Sequence, residues 1–475
     1  MRYQAPFFPG FQRHLFGRPP VSILDKLKRE RHQIGATCLS QLATIFGSFL
    51  HVALLEFKAP NGVNSRGRVY TPAVTFWAFL GQVLDVGSSC RKSVSNVQAL
   101  FAARGMAIPC PETKAYCRAR LRLPVRLLRR VIDDISGHLS TRATGRTLVV
   151  DGSTLTMPDT PANQQKYPQH RSQRPGCGFP IMKIVGLFCL DSGAWIACAK
   201  SHFRIHESRL FWRLFRHLRQ GDTLISDRGF CSYWAAAELI SRGIDFVMRN
   251  HQKRKSDFRR GTRLGQGDHR ITWERPQRPA WMSKAQYDAM PRELVLRETR
   301  LKPVRKGFRT KEIIVVTSFL SPDDKSAEEL GDYFLRRWQV ELYFDDIKTS
   351  MGMDVLRTKS PALICRELLM HMIAYNLIRA QVLRSGADVQ RVSFKGTVDR
   401  IASWAWVIWA SPTRKTAGKL VAALLENIAA DLVLLRPGRR EPRVLKRRVR
   451  AYQYLTKPRR EMVEIPHRSK YRKPA

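Results

Sequence analysis

The chain has 475 residues, with 83 Lys and Arg against 39 Asp and Glu, a formal net charge of +44. Apolar residues make up 44%, enough for a real core, so wholesale disorder is excluded and the length predicts more than one domain. So large a positive excess argues against a purely small-molecule enzyme and for a polyanionic partner, of which nucleic acid is the commonest.

Residues 1–140 read as helical. A charged stretch at 23–32 is followed by apolar residues at helical spacing over 39–57 and 72–86, with further helices predicted at 93–104, 111–122 and 124–139. The unit is basic and holds no catalytic cluster. From residue 146 the texture changes. A β-branched run, 146–151, ends in a carboxylate. Runs 181–191 and 195–200 are strand-like and separated by a turn at Asp191-Ser192-Gly193. A helix at 207–218 leads to a strand at 222–227, again ending in a carboxylate, then a helix at 233–242 and a strand at 244–248. That order predicts an α/β core that begins with a hairpin.

Residues 251–310 break the pattern with 17 basic and 6 acidic side chains. Strand-like runs at 294–302 and 313–319 predict a basic, β-containing insertion, because a structureless loop of this length is unusual. Helical periodicity returns at 327–349 and 361–383. The last stretch, 436–475, holds 15 basic and 3 acidic side chains and reads as a basic tail.

The apolar stretches 42–55, 401–410 and 421–435 are short or interrupted by His51, Glu426 and Asp431, whereas a spanning helix needs about 20 apolar residues. No membrane partner is expected. The N-terminus lacks a signal core. Nine cysteines with no C-x-x-C pair read as reduced thiols of a cytoplasmic protein, without a structural zinc site.

Three acidic residues carry the chemistry. Asp151 and Asp227 each end an apolar strand and each is followed closely by glycine. On neighbouring strands the two carboxylates would project side by side, and a divalent cation would relieve their repulsion. The alternative is that each opens a turn. Glu341 lies in the third block. At about 100° per residue, Phe334, Arg337, Glu341 and Lys348 share one helix face within about 60°, while Tyr333 lies about 80° from Glu341. A carboxylate flanked by two cations suits a metal flanked by phosphates. The alternative is an ordinary i, i+4 pair between Arg337 and Glu341. Asp159 reads as a turn residue, Asp345 and Asp346 as solvated, and His206 and Glu207 as a helix start. Asp222 points to the strand edge far from Asp227, and His371 reads as a core histidine.

Together these segments resemble the transposases of the bacterial insertion-sequence-4 family. The matching stretches are L-V-V-D-G-S-T-L at 148–155, L-I-S-D-R-G-F at 224–230 and R-R-W-Q-V-E-L-Y-F-D-D-I-K at 336–348, followed by M-G-M-D-V-L-R-T-K-S-P at 351–361 and L-L-M-H-M-I-A-Y-N-L-I-R-A at 368–380. The resemblance implies a ribonuclease-H-like core, residues 141–250 and 313–385, interrupted by the β-containing insertion 251–312. A helical DNA-binding domain, 1–140, would precede it, and a helical region with the basic tail, 386–475, would follow.

By the same resemblance Asp151, Asp227 and Glu341 form an Asp-Asp-Glu triad holding two Mg²⁺ (or Mn²⁺) ions. Arg337 and Lys348 match the family's phosphate-binding signature. Phe334 stands at its tyrosine position, with Tyr333 one residue early. Trp273 and Trp281 are the insertion's two candidates for stacking on a flipped base. The implied activity is cut-and-paste DNA transposition through a hairpin end. The partners would be double-stranded DNA, at transposon ends and target, and a second copy of the chain in a synaptic homodimer. The setting would be the bacterial nucleoid. The rival readings are a catalytically silent DNA-binding repressor of transposase descent and a structure-specific nuclease on the same fold.

Overall fold

The computed structural model describes residues 40–50, 68–140, 145–302, 312–434 and 455–462. The helix expected at 23–32, residues 39 and 51–57 of the one expected at 39–57, and most of the basic tail lie outside the described residues; within 40–50 the chain makes only a short helix at Ala43–Phe46 and a 3₁₀ turn at Gly47–Phe49. The chain divides into two compact units. The first comprises Met1–Thr141, Ser350–Gly352 and Cys365–Leu432; the second comprises Arg142–Thr349, Met353–Ile364 and Val433–Ala475.

The first unit is helical. Helix α1 (Pro72–Leu84) starts on Thr71, whose side chain accepts the Val74 N–H, with Pro72 at the first position. Helix α2 (Cys90–Ala102) starts the same way on Ser89. With α3 (Thr113–Arg122) they close around Tyr70, Val74, Val94, Val97, Phe101, Tyr116 and Ala119. Helix α4 (Val125–Leu139) buries Leu128, Val131, Ile132 and Ile135, an i, i+3, i+4, i+7 stripe.

The second unit is built on a nine-stranded mixed sheet. Its strands are β1 (Thr147–Thr156), β2 (Ile181–Cys189), β3 (Trp195–His202), β4 (Thr223–Ser226), β5 (Asp245–Arg249), β6 (Thr262–Gly265), β7 (Asp268–Glu274), β8 (Glu293–Leu301) and β9 (Ile313–Thr317). The spatial order is β3-β2-β1-β4-β5-β9-β8-β7-β6. Strands β1, β2 and β3 form an antiparallel meander, while β4 and β5 run parallel to β1. The parallel strands β4 and β5 are buried along most of their length, with apolar side chains at Leu224, Ile225, Phe246, Val247 and Met248. Short helices α5 (Pro161–Lys166), α6 (Glu207–Trp212), α7 (Tyr233–Ser241) and α8 (Lys284–Asp288) join them.

The basic segment expected to contain strands supplies β6, β7 and β8, which continue the sheet through β9. A buried ion pair links β7 to β8: Arg297, with no exposed surface, donates to Asp268 Oδ1 at 2.8 Å and Oδ2 at 2.5 Å.

Two corrections concern the elements that carry the acids. Strand β1 does not stop at Asp151 but runs five residues further, because antiparallel β2 keeps pairing with it to Thr156↔Ile181. The predicted helix 327–349 is not one regular α-helix. Helix α9 (Ala327–Leu335) passes into a 3₁₀ turn at Arg336–Trp338, then α10 (Gln339–Asp345), then a π-helical stretch at Asp346–Ser350. The break follows from anchoring to the sheet at several points. The Phe344 ring meets Phe188 edge-on at 5.3 Å, the Tyr343 hydroxyl donates to the Leu190 carbonyl, and Arg336 pairs with Asp191 at 3.1 Å. Gly186 makes room beneath, since a Cβ there would lie 2.7 Å from the Phe188 ring and 3.2 Å from that of Phe344.

Three longer helices follow the sheet: α11 (Pro361–Arg384), α12 (Phe394–Trp409) and α13 (Arg414–Ala430). From Cys365 onward they group with the amino-terminal helices in the first unit, so the expected boundary at 385 falls inside that unit. His371 is buried in α11, as a core histidine would be.

Candidate active site

The parallel ladder between β1 and β4 ends at Val150↔Ser226. Asp151 and Asp227 are the next residue of each strand, so both follow the same rung. Beyond it β4 turns away through Asp227-Arg228-Gly229, while β1 continues against β2, with one further parallel bridge, Thr156↔Val355, at its end. The edge opened there gives the Asp151 carboxylate somewhere to stand just past the buried run Thr147–Val150. One of its oxygens accepts the Gly152 N–H at 2.7 Å.

The broken helix brings three more of the predicted residues to this edge. Arg337 is buried and bridges two acids, with Nη1 3.9 Å from Asp151 Oδ2 and Nη2 3.3 Å from Glu341 Oε1. Glu341 is the outermost of the acids, on the exposed side of α10. Lys348 Nζ donates to Ser153 Oγ at 3.4 Å, two residues beyond Asp151 on the same face of β1. Tyr333 is not brought in, since its ring packs under the Lys325 ammonium, 5.4 Å from the centroid. Phe334, in its stead, is buried with its ring 5.8 Å from the Arg337 guanidinium, as a packing surface.

The electrostatics are those of a crowded, half-dried acidic edge. Burial is the main cause that pushes the Asp151 carboxyl up from 3.8 to about 6. The Gly152 N–H and Arg337 oppose the shift, and the negative charges of Asp227 and Glu207 add to it. Asp227 Oδ1 is buried and accepts no hydrogen bond; the Arg249 guanidinium stands 4.0 Å from it. Among the described residues no three His, Cys, Asp or Glu side chains stand close enough together to hold a metal ion, because Arg337 lies between Asp151 and Glu341. The Asp151–Asp227 pair nonetheless fits a hard divalent cation. It offers only carboxylate oxygens, one of them an orphaned buried acceptor, and a positive charge there would offset the cost of ionising Asp151.

Two charged neighbours were not singled out from the sequence as site residues. Arg249 ends β5, and the β4–β5 ladder ends at Ser226↔Met248, so Arg249 follows the same rung as Asp227. The strand-end rule that finds Asp227 finds Arg249 too. Glu207 does open α6, where the His206 side chain caps the helix, but its carboxylate also lies against Gly152. The other acids stay apart. Asp222 is buried in an ion pair with Arg146 at the far end of β4, Asp159 accepts from Gln164, and Asp345 is exposed and accepts from Thr349.

The two tryptophans of the insertion separate clearly. Trp273 is buried, donates to Glu298 Oε1 at 3.2 Å and is covered by the Arg254 guanidinium 3.2 Å from its ring centroid. Its faces are taken up by packing, which removes it as a stacking platform. Trp281 is 41% exposed and leans on Trp212 at 5.6 Å.

Residues 142–377 match the Transposase DDE domain family. Over 440 residues the chain is 26% identical to the transposase InsG for insertion sequence element IS4 of Escherichia coli strain K12, covering 88% of this chain and 94% of that protein. It is also 26% identical over 211 residues to the transposase for insertion sequence element IS421 of Escherichia coli, 38% of this chain and 57% of the relative. Among solved structures, the piggyBac transposase synaptic complex with hairpin DNA is similar over 86% of each chain, at 13% identity and a TM-score of 0.38. No helix among the described residues is long and apolar enough to cross a membrane. With the DDE domain and an insertion-sequence relative matched along nearly its whole length, this chain belongs to the DDE transposases of insertion sequences, metal-dependent enzymes that cleave and transfer DNA strands.

Proposed function

We propose that the chain binds the terminal inverted repeats of its element as a homodimer, in the bacterial cytoplasm. It would cut the element out through hairpin ends and join it to target DNA on a ribonuclease-H-like core. Asp151, Asp227 and Glu341 are the catalytic acids in this reading. The observation that carries it is the shared rung: two carboxylates leave adjacent parallel strands at one open edge, and Arg337 ties the third to the first.

Two Mg²⁺ (or Mn²⁺) ions held by these acids would supply the activation of a water, and later of a DNA 3′-OH, for in-line attack at phosphorus. The chain's own residues do the rest. Arg337 leaves its carboxylates to grip the phosphate beside the scissile bond, where its fork suits two oxygens at once. Lys348, on Ser153, holds the neighbouring phosphate as a point charge. Arg249 keeps a positive charge beside Asp227 while the edge is empty of DNA. Trp281 offers an exposed face to a base flipped out of a hairpin, with Trp212 behind it.

The test is nicking of an end-containing duplex in Mg²⁺ by Asp151→Ala, Asp227→Ala and Glu341→Ala, with DNA binding followed in parallel. Each should lose cleavage and keep binding. Cleavage at near wild-type rate by any one of them removes that acid from the site.

A further inference from the structure

The segment after β5 carries Lys253, Arg254 and Lys255 with no acid between them, and among the described residues none of the three makes an ion pair. A few residues on, the chain does neutralise its cations: Asp257 pairs with Arg259 at 3.0 Å and with Arg260 at 3.6 Å. The two lysines are exposed, as in any solvated charge run. Arg254 is different. It is half-buried, with its guanidinium carbon 3.2 Å from the centroid of the Trp273 ring, and among the described residues its side chain donates to no acceptor. Nη1 is shut off from solvent, whereas the Nε–Nη2 edge stays open. Burial lowers the pKa of Arg254, and Cys231 and the Glu298 carboxylate, beyond ion-pair distance, oppose that only in part. A fixed guanidinium with unused donors costs the fold stability unless a group from outside the chain accepts from it.

Lys253, Arg254 and Lys255 line a cavity of about 580 Å³, together with His251 and with Ser232 and Tyr233 at the amino end of α7. No carboxylate lines it. The Tyr233 hydroxyl already donates to the Pro291 carbonyl, and the Ser232 side chain accepts the Ala235 N–H. The groups left to meet a ligand are therefore the cations, and the positive end of α7 adds to them. Such a lining suits a phosphate, and the open edge of Arg254 suits a pair of phosphate oxygens.

The cavity also lies close to the acids along the chain. Strands β4 and β5 run parallel, so the segments after Asp227 and Arg249 leave the sheet at the same edge. Cys231, in the cavity wall, is four residues past Asp227, a length of chain that spans at most about 14 Å. At a rise of about 3.4 Å per nucleotide this is about four nucleotides of one DNA strand. We infer, resting on the reading of Asp151 and Asp227 as the cleavage acids, that this cavity is an anion site holding one backbone phosphate of the DNA strand that crosses the acid edge. Arg254 grips it from the Trp273 stack, and Lys253 and Lys255 close over it as point charges.

The experiment is binding of the full chain to end-containing duplexes that each carry a single uncharged methylphosphonate, moved one position at a time past the cleaved bond. Divalent metal is left out, so no strand is cut. One position within about four nucleotides of that bond should weaken wild-type binding by about tenfold, the low end for a hydrogen bond to a charged group. Arg254→Gln should weaken binding to the unmodified duplex by a similar factor and make that same position insensitive, since the two changes remove one interaction. Thermal melts confirm that each variant is folded. Lys253→Gln combined with Lys255→Gln, both exposed, should reduce sensitivity at the same position and carries the test if Arg254→Gln unfolds. Arg259→Gln, whose arginine is paired with Asp257 and does not line the cavity, should keep the wild-type pattern.

A sensitive position that stays equally sensitive in the folded cavity variants, or no sensitive position near the cleaved bond, would overturn the inference. Wild-type melts in inorganic phosphate, against chloride at equal ionic strength, separate the two sources of phosphate. Stabilisation that Arg254→Gln or the double lysine variant loses, with no methylphosphonate position coupled to that variant, would assign the cavity to a free anion and overturn the DNA assignment. Metal-dependent nicking by the Asp151 and Asp227 variants is read on its own, so failure of the cleavage reading is distinguishable from failure of the anion site.

Discussion

Arg337 stands between Asp151 and Glu341, 3.9 Å from a carboxylate oxygen of the first and 3.3 Å from one of the second. One buried guanidinium thus holds together a strand acid and a helix acid that are remote in sequence. On the assignment proposed above, it takes the place of positive charge that a cation and a phosphate would share in the working complex. Arg337 opposes the upward shift of Asp151, so its loss has a readable consequence. In Arg337→Gln the Asp151 carboxyl should titrate higher than about 6, by about one unit or more. Mn²⁺ binding should then require a higher pH than in the wild type. A pH series of Mn²⁺ affinity for the two proteins checks this, and superimposable curves would contradict it.

The same shift makes a statement about folding. The Asp151 carboxyl titrates near 3.8 ordinarily and near 6 in the fold. As pH rises through this window, the unfolded chain releases its proton first. The contribution is fully present below about 4 and is lost as pH rises through about 6, by at most about 3 kcal/mol. Asp151→Asn should therefore raise the melting temperature at pH 7.5 and change it little at pH 4. Adding Mn²⁺ at pH 7.5 should stabilise the wild type and not the variant. Thermal melts at the two pH values decide it.

Asp222 precedes β4, at the end of that strand far from Asp227, as its place in the sequence predicts. It neutralises Arg146 in a pair with almost no exposed surface. Asp222→Ala leaves a buried guanidinium uncompensated, at a cost of about 3–5 kcal/mol. Cleavage should fall because the protein unfolds, so activity measured well below the lowered melting temperature should recover in proportion to the folded fraction.

The residues at the tyrosine position of the signature make opposite predictions. Tyr333→Phe removes a hydroxyl whose ring lies beneath Lys325, away from the acids, and should leave both cleavage and the release rate of a cleaved end unchanged. Phe334→Ala removes the ring that packs against Arg337 and should cost about 3–5 kcal/mol of stability. Phe334→Leu keeps most of the volume and should recover most of that loss. Denaturant melts and end-release rates, measured on all three variants, separate packing from phosphate contact.

Trp281→Ala should lower hairpin formation and leave the stability within about 1 kcal/mol of wild type, as partly exposed positions do. Trp273→Ala should do the reverse order of damage, lowering stability first, because it empties a buried space, removes the donor to Glu298 Oε1 and uncovers the Arg254 guanidinium. Comparing hairpin yield with melting temperature across the pair tests the assignment.

Most elements that carry the acids were legible in the chain itself, because they follow from local periodicity, whereas β6, β7 and the short helices α5 and α8 leave no such pattern. The apolar run before Asp151, the one before Asp227 and the helical spacing around Glu341 each need only a window of residues. Their two β runs needed only the right neighbour relation to place both carboxylates at one edge. Tertiary structure decided the rest. How far β1 extends past Asp151 depends on hydrogen bonds from β2, not on the character of Gly-Ser-Thr-Leu-Thr. Where the helical segment breaks between α9 and α10 depends on Phe344, Tyr343 and Arg336 anchoring to the meander. Glu207 over Gly152, Arg249 beside Asp227 and Arg337 between two acids are contacts between segments far apart in the chain. Such contacts leave no periodic trace, since each is set by which strands are neighbours and which face a side chain takes, and those are properties of the assembled sheet.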